Sequence, residues 1–140
     1  MPVVTTLALC GQTETALRHY QEALGAEVVF MMRFRDSPDQ SHTRPGMEDL
    51  IFHATFRVLD TVIAASDVGY VAPSSTPKFE GFALLLQMDS LASAKHAFAS
   101  LAENGEVLIP LAESKFTSWY GIVIDRFGVN WKINVDTSGH

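Results

Sequence analysis

Scarcity carries information in this chain. A single cysteine, Cys10, excludes an intramolecular disulfide and fits a reducing compartment. No apolar run approaches the ~20 residues of a membrane-spanning helix, and the run FALLLQM beginning at Phe82 is of strand length. The opening stretch MPVVTTLALCG lacks a basic n-region and its apolar run is too short for export, so a soluble cytoplasmic protein with no membrane partner is expected. Basic residues are outnumbered, 10 against 16 acidic, giving a formal charge of −6. Nucleic-acid binding needs a concentrated basic face, so a nucleic-acid partner is not expected. What remains is ordinary globular composition, 47% hydrophobic and 19% charged. At 140 residues it makes one domain that buries about two-thirds of its unfolded surface.

Turn residues cut the chain into short elements. Residues 3–10, rich in Val, Thr and Leu, predict a strand ended by Gly11. Thr13 offers an N-cap for a helix whose stripe of Ala16, Leu17, Tyr20, Ala23 and Leu24 has helical spacing, and Gly25 closes it. AEVVFMMRF resumes as a strand. RDSPDQSHTRPGMED is a loop of about fifteen residues, a length that in a compact domain points to function or mobility. Residues 50–58 and 61–66 predict a hairpin turning at Leu59 and Asp60. VGYVAPSSTPKFE, with its two prolines and paired serines, reads as a linker.

The order then repeats. Residues 82–88 predict a strand, Asp89 or Ser90 caps the helix within SLASAKHAFASLAEN, Gly105 closes it, and EVLIPL is a short strand. Residues 118–124 and 129–135 make a closing hairpin through DRFG. IFHATFRVLDTVIAASD from Ile51 lies over WYGIVIDRFGVNWKINV from Trp119, an offset of 68 (119 − 51). The expectation is one α+β domain over residues 1–140, built from two tandem βαβββ modules at about 1–67 and 81–136 with a linker at about 68–80. Two such modules are expected to form an open, trough-like sheet of mixed and antiparallel strands, with helices on one face. An edge left bare by that packing favours a homodimer.

This layout resembles the vicinal oxygen chelate (glyoxalase/bleomycin resistance/dioxygenase) superfamily over nearly the whole chain. The strings ALRHYQEALGAEV, FHATFRVLDTVIAASD and FTSWYGIVIDRFGVNWKINV resemble its PhnB-like subgroup. The resemblance implies paired βαβββ modules, usual dimerisation and a ligand cavity inside the trough. The subgroup also circulates as demethylubiquinone methyltransferase-like. A nucleotide-fold methyltransferase needs a Gly-rich turn between strand and helix, and the comparable turn here, CGQT, has one glycine.

Metal enzymes of the superfamily hold a divalent ion with groups such as His and Glu on the first and last strands of each module. The offset of 68 pairs Ala64 with Lys132 on the last strands, where the resemblance implies acidic ligands. Counting from the helices places the first-strand positions near Thr5 or Thr6 and near Phe82 or Ala83. None of these is a metal-binding residue, so neither a metal nor another cofactor is expected.

Strand alternation puts Ile51, His53, Thr55 and Arg57 on one face of the third strand, opposite the apolar Phe52, Ala54, Phe56 and Val58. The apolar set is expected under the helix and the other toward the trough. On the last strand Trp131, Ile133 and Val135 go under the helix, leaving Asn130, Lys132 and Asn134 in the trough. Repeat pairing assigns Trp119 and Gly121 to the face of His53. His53 is a hydrogen-bonded strand histidine, a ligand-contacting and acid–base group, or a metal ligand at an unconventional site. Lys132 binds a ligand anion or pairs with a carboxylate, and Trp119 and Phe116 stack on a ligand or fill core. The candidate ligand-binding set is thus Trp119, Lys132, Thr55, Arg57, Asn130 and Phe116, with His53 as the candidate catalytic residue. Asp125 is expected to serve the hairpin turn, and Ser66 and Asp67 are pocket residues or strand-end fasteners. His19 and His96 are expected on helix surfaces, His42 in the loop and His140 at the end. Arg33 and Arg35 steer anions or are solvated charges, and Cys10 lacks basic neighbours to activate it.

The leading functional expectation is a protein that binds a small molecule in its trough without the usual divalent metal. The alternative is a lyase, isomerase or dioxygenase-type enzyme with an altered site using His53. A subunit valued for its interaction surface is a third possibility.

Overall fold

In a computed structural model the chain divides into two compact units, Met1–Pro77 and Lys78–His140. The structure describes residues 2–69, 77 and 79–136. Most of the predicted linker and His140 lie outside the described residues.

In the first unit, β1 (Thr6–Ala8) leads through a tight turn to α1 (Thr13–Leu24). The strand is shorter than residues 3–10. Gln12 holds the N-cap position, and Thr13, expected there, is the first helical residue. Gly25 closes α1 in the left-handed region at φ 65°, its N–H donating to the Gln21 carbonyl. Then come β2 (Glu27–Arg33), two short 3-10 turns at Phe34–Asp36 and Gln40–His42, β3 (Ile51–Val58) and β4 (Thr61–Ser66). The sheet order is β1-β4-β3-β2, with β1 parallel to β4 and the other pairs antiparallel. Helix α1 packs Ala16, Leu17, Tyr20 and Ala23 on one face of this sheet, where Leu7, Ala54, Phe56, Ile63 and Ala65 are buried. Tyr20 stacks on Phe56 with ring centroids 5.9 Å apart. His19, expected at the surface, is buried. The reason is spacing: Ala16, His19, Tyr20 and Ala23 form the same i, i+3, i+4, i+7 arc.

The second unit repeats the plan with β5 (Leu84–Met88), α2 (Leu91–Ala102), β6 (Glu106–Glu113), β7 (Trp119–Ile124) and β8 (Asn130–Val135). Its order, β5-β8-β7-β6, again has one parallel pair, β5 with β8. The fold is α+β, two open mixed sheets each covered by one helix. Ala94, Ala97 and Leu101 of α2 meet a face holding Leu86, Val123, Trp131, Ile133 and Val135.

Glycine does different work here than expected. Helix α2 ends before Gly105, with Glu103 at its C-cap, and the left-handed residue is Asn104 at φ 58°. Gly105 answers to space instead, since a Cβ there would sit 2.2 Å from the Ile124 carbonyl oxygen. Gly121 is equally constrained: a Cβ would meet Phe98 at 2.8 Å and the Leu111 backbone at 2.9 Å. Strand β6 runs longer than EVLIPL and is exposed along nearly its whole length.

Candidate functional site

Each sheet has a helix-covered face and a helix-free face, and the helix-free face is where polar side chains can meet a ligand. Alternation along β3 holds. Ala54, Phe56 and Val58 are buried, while His53 and Arg57 are exposed and Thr55 is half-buried. Ile51, at the strand entry, is the exception and is fully buried. The ring of His53 lies 6.1 Å from that of Phe30. Thr55 sits opposite Phe30 and beside Ala64. Arg57 is opposite Glu27 and donates to its carboxylate at 3.2 Å, so this cation is already paired. The first unit therefore groups His53, Thr55 and Arg57 on one face, with Phe30 as an aromatic neighbour that the sequence reading did not single out.

In the second unit, Asn130, Lys132 and Asn134 alternate with the buried Trp131, Ile133 and Val135, on the helix-free face as expected. Lys132 has Leu85 beside it on β5 and Ile122 beside it on β7. Trp119 does not join them. It pairs with Val135, shares the helix-covered face of Gly121 and Val123, and carries the Lys95 ammonium of α2 over its ring at 5.4 Å. The aromatic residue on the helix-free face is Tyr120, opposite Asn134. Phe116, 73% exposed, packs edge-on against Tyr120 at 4.9 Å.

One residue explains this reversal. Ile133 corresponds to Ala65 at the offset of 68, but its partner Gly121 corresponds to Ala54, the partner of Ala65, at 67 (121 − 54). The β7–β8 turn is one residue longer than the β3–β4 turn, and a one-residue slip turns every side chain to the other face. Ala64 and Lys132 remain counterparts. Past Asn134, toward the end of β8, Gln87, Asn134, Thr117 and Phe116 line a cleft of about 380 Å³, with Asp89 and Asp136 also in its wall; Lys132 is not among its lining residues.

In the superfamily a divalent ion would lie where the first and last strands of a unit run side by side. The register places Thr6 beside Ala64 and Leu85 beside Lys132. The first-strand position in the second unit is thus Leu85, where counting from the helix had given Phe82 or Ala83. A hydroxyl, two aliphatic side chains and an ammonium do not fit a divalent cation. Among the described residues no three His, Cys, Asp or Glu come together.

Other sequence candidates prove structural. Asp67 is buried, and its Oδ1 accepts from Gly11 N (2.9 Å), Thr13 N (3.2 Å) and the Thr13 hydroxyl (2.6 Å), while Oδ2 accepts from Ile51 N at 3.0 Å. Ser66 donates to the Phe52 carbonyl at 2.8 Å. Asp125 serves its hairpin, accepting from Phe127 N and Val129 N, and takes the Trp131 indole N–H at 2.9 Å. Arg33 grips Glu14 through both oxygens, at 2.6 and 3.2 Å, and that hydrogen bond holds the Glu14 carboxyl below its ordinary range. Arg35 pairs with Asp49. His96 is exposed on α2. No helix among the described residues is long and apolar enough to cross a membrane.

Two tandem βαβββ modules, each an open mixed sheet under one helix, define a glyoxalase-like protein, and solved glyoxalase-related structures share the fold. The family model described as 3-demethylubiquinone-9 3-methyltransferase matches residues 2–134, and the chain belongs to this PhnB-like family of the vicinal oxygen chelate superfamily. It is 33% identical over 143 residues to Protein YjdN of Escherichia coli (strain K12), covering 96% of this chain and 95% of that protein. The crystal structure of protein PA1353 from Pseudomonas aeruginosa matches with a TM-score of 0.82 at 31% identity, covering 97% of this chain and 98% of that one. A Bacillus cereus PhnB protein, described as a putative 3-demethylubiquinone-9 3-methyltransferase, matches with a TM-score of 0.78 at 25% identity, covering 96% and 99%.

Proposed function

We propose that this protein binds a small molecule against its helix-free sheet faces, without the divalent metal usual in the superfamily. The observation that carries the reading is the helix-free face of the second unit. There Lys132 and three carboxamides, Asn130, Asn134 and Gln87, stand on an apolar ground of Leu85, Ile122, Tyr120 and Phe116. Polar groups set among aliphatic and aromatic side chains can fix the orientation of a small molecule. His53 and Thr55 supply the corresponding polar groups on the first sheet.

Methyl transfer from a nucleotide cofactor has less support. The turn that would approach such a cofactor is Cys10–Gly11–Gln12, and the amides of Gly11 and Thr13 at the start of α1 already donate to Asp67. Thermal-shift screening of purified protein against a broad metabolite and drug panel tests the binding role. A saturable rise in melting temperature is expected, and a panel with no hit counts against it. Metal analysis of protein purified without chelator tests the other half, and stoichiometric zinc, nickel, manganese or iron would overturn it.

Two copies are proposed to associate in the cytoplasm. The support is the exposed apolar edge strands, with Val107, Leu108 and Ile109 of β6 at 44–46% exposure and Val29 and Phe30 of β2 at 51% and 45%. Light scattering is expected to give a dimer that Leu108→Lys weakens. A wild-type monomer at all concentrations removes this part of the reading.

A further inference from the structure

We infer that Lys132 is the resident cation of the binding face and that the ligand is a small organic acid whose carboxylate meets this ammonium directly. The inference rests on the small-molecule reading above and adds the ligand's chemical class. Lys132 is half-buried between Leu85 and Ile122. Ion pairs join Arg18 and Arg33 to Glu14, Arg35 to Asp49, Arg57 to Glu27 and Arg126 to Glu103, and Lys132 is in none of these. An ammonium partly withdrawn from water beside aliphatic side chains favours an anionic partner. Asn130 and Asn134 flank it at two residues on either side of the same face, and a carboxamide N–H can donate to a carboxylate held at the ammonium.

A single ammonium, with no arginine fork and no helix N-terminus among its register neighbours, suits a monocarboxylate better than a phosphate. The remaining surface, Leu85, Ile122 and Tyr120 with Phe116 against it, suits an aromatic or branched body. Asp89 and Asp136 stand in the wall of the cleft past Asn134 and disfavour an anion there.

The chain has four lysines, Lys78, Lys95, Lys115 and Lys132, so carbon-13 dimethylation of their amines, which preserves charge, gives few signals to assign. Phenylacetate, 2-phenylacetamide and inorganic phosphate are titrated against the labelled protein, with Lys132→Met identifying the signal. Phenylacetate is expected to move the Lys132 signal saturably, with the amide and phosphate at least tenfold weaker. Lys132→Met is expected to weaken phenylacetate binding at least tenfold while leaving the melting temperature close to wild type. The amide binding as well as the acid, or the variant retaining affinity, overturns the organic-acid inference and leaves the small-molecule reading standing. Tighter binding of phosphate replaces the carboxylate with a phosphate class. Silence of Lys132 toward all three probes, together with an empty thermal-shift panel, sinks both.

Discussion

The two units begin their helices with different chemistry. In the second, Ser90 sits at the N-cap of α2 and its hydroxyl accepts from Ser93 N three residues on. In the first, Gln12 makes no side-chain cap, and the carboxylate of Asp67 arrives from the end of β4 to take the Gly11 and Thr13 amides. The same carboxylate also fixes the start of β3 through Ile51 N. The second unit has Val135 at the position matching Asp67 and keeps its own buried aspartate, Asp125, in the hairpin instead. Burial pattern and strand order are thus shared between halves, while the polar fasteners are not. A duplicated architecture can be read across its repeat; its polar sites must be read one at a time.

Unequal damage from matched substitutions would sharpen this contrast. Asp67→Ala orphans three buried or part-buried amides and should cost about 4 kcal/mol in urea denaturation, against about 1 kcal/mol for Ser90→Ala. Similar losses for the two would break the comparison. Gly121→Ala should cost about 2 kcal/mol, because its Cβ meets backbone at Leu111, although its first-unit counterpart Ala54 already carries that carbon. A neutral result would mean that β6 yields there. Trp131→Phe should cost about 1–2 kcal/mol by leaving Asp125 Oδ2 without its indole donor, and calorimetry can measure the loss.

The helix-free face can be tested with neighbours of opposite orientation. Tyr120→Leu should weaken phenylacetate binding about fivefold, one stacked aromatic contact being worth roughly 1 kcal/mol. Trp119→Leu should lower stability and leave binding unchanged. A reversal of these two would restore Trp119 to the ligand face. The smallest effect concerns Glu14, whose carboxyl is lowered first by its hydrogen bond to Arg33. The stability it contributes is complete above the ordinary carboxylate range and is lost as pH falls through the lowered folded value. Glu14→Gln should therefore flatten the acid side of the stability profile, cost about 0.5 kcal/mol near neutrality and fade with salt. A steeper acid limb in the variant would contradict that sign.

Much of the fold was legible because it depends on local signals. Both hairpins, both helices and the helix-covered faces of β3 and β8 follow from alternation, helical spacing and turn residues. The signal for His19 was present as well, since it stands on the arc of Ala16, Tyr20 and Ala23. The misplacement of Trp119 came from aligning two hairpins as though their turns were equal in length. Between the joined Asp125 and Val129 stand three residues, Arg126, Phe127 and Gly128, against the two, Leu59 and Asp60, between Val58 and Thr61. Asp67 was not legible in the same way. Its partners lie 16, 54 and 56 residues away, and nothing local distinguishes it from an acceptor at a strand end. Gly105 was read as a helix stop because glycine usually signals φ, whereas here it answers to the carbonyl of Ile124.

The remote capping of α1 also sets an order of events in time. Helix α2 carries its start signal within its own first turn and can nucleate as soon as residues 90–93 are together. Helix α1 depends on a carboxylate 56 positions downstream of Gly11, so closure of that long loop precedes full stabilisation of its first turn. During synthesis from the N-terminus, the half that emerges first is thus the half that must wait. Substitutions at Asp67 should register mainly in the unfolding rate if this contact forms after the transition state, and in the folding rate if β4 docks before it.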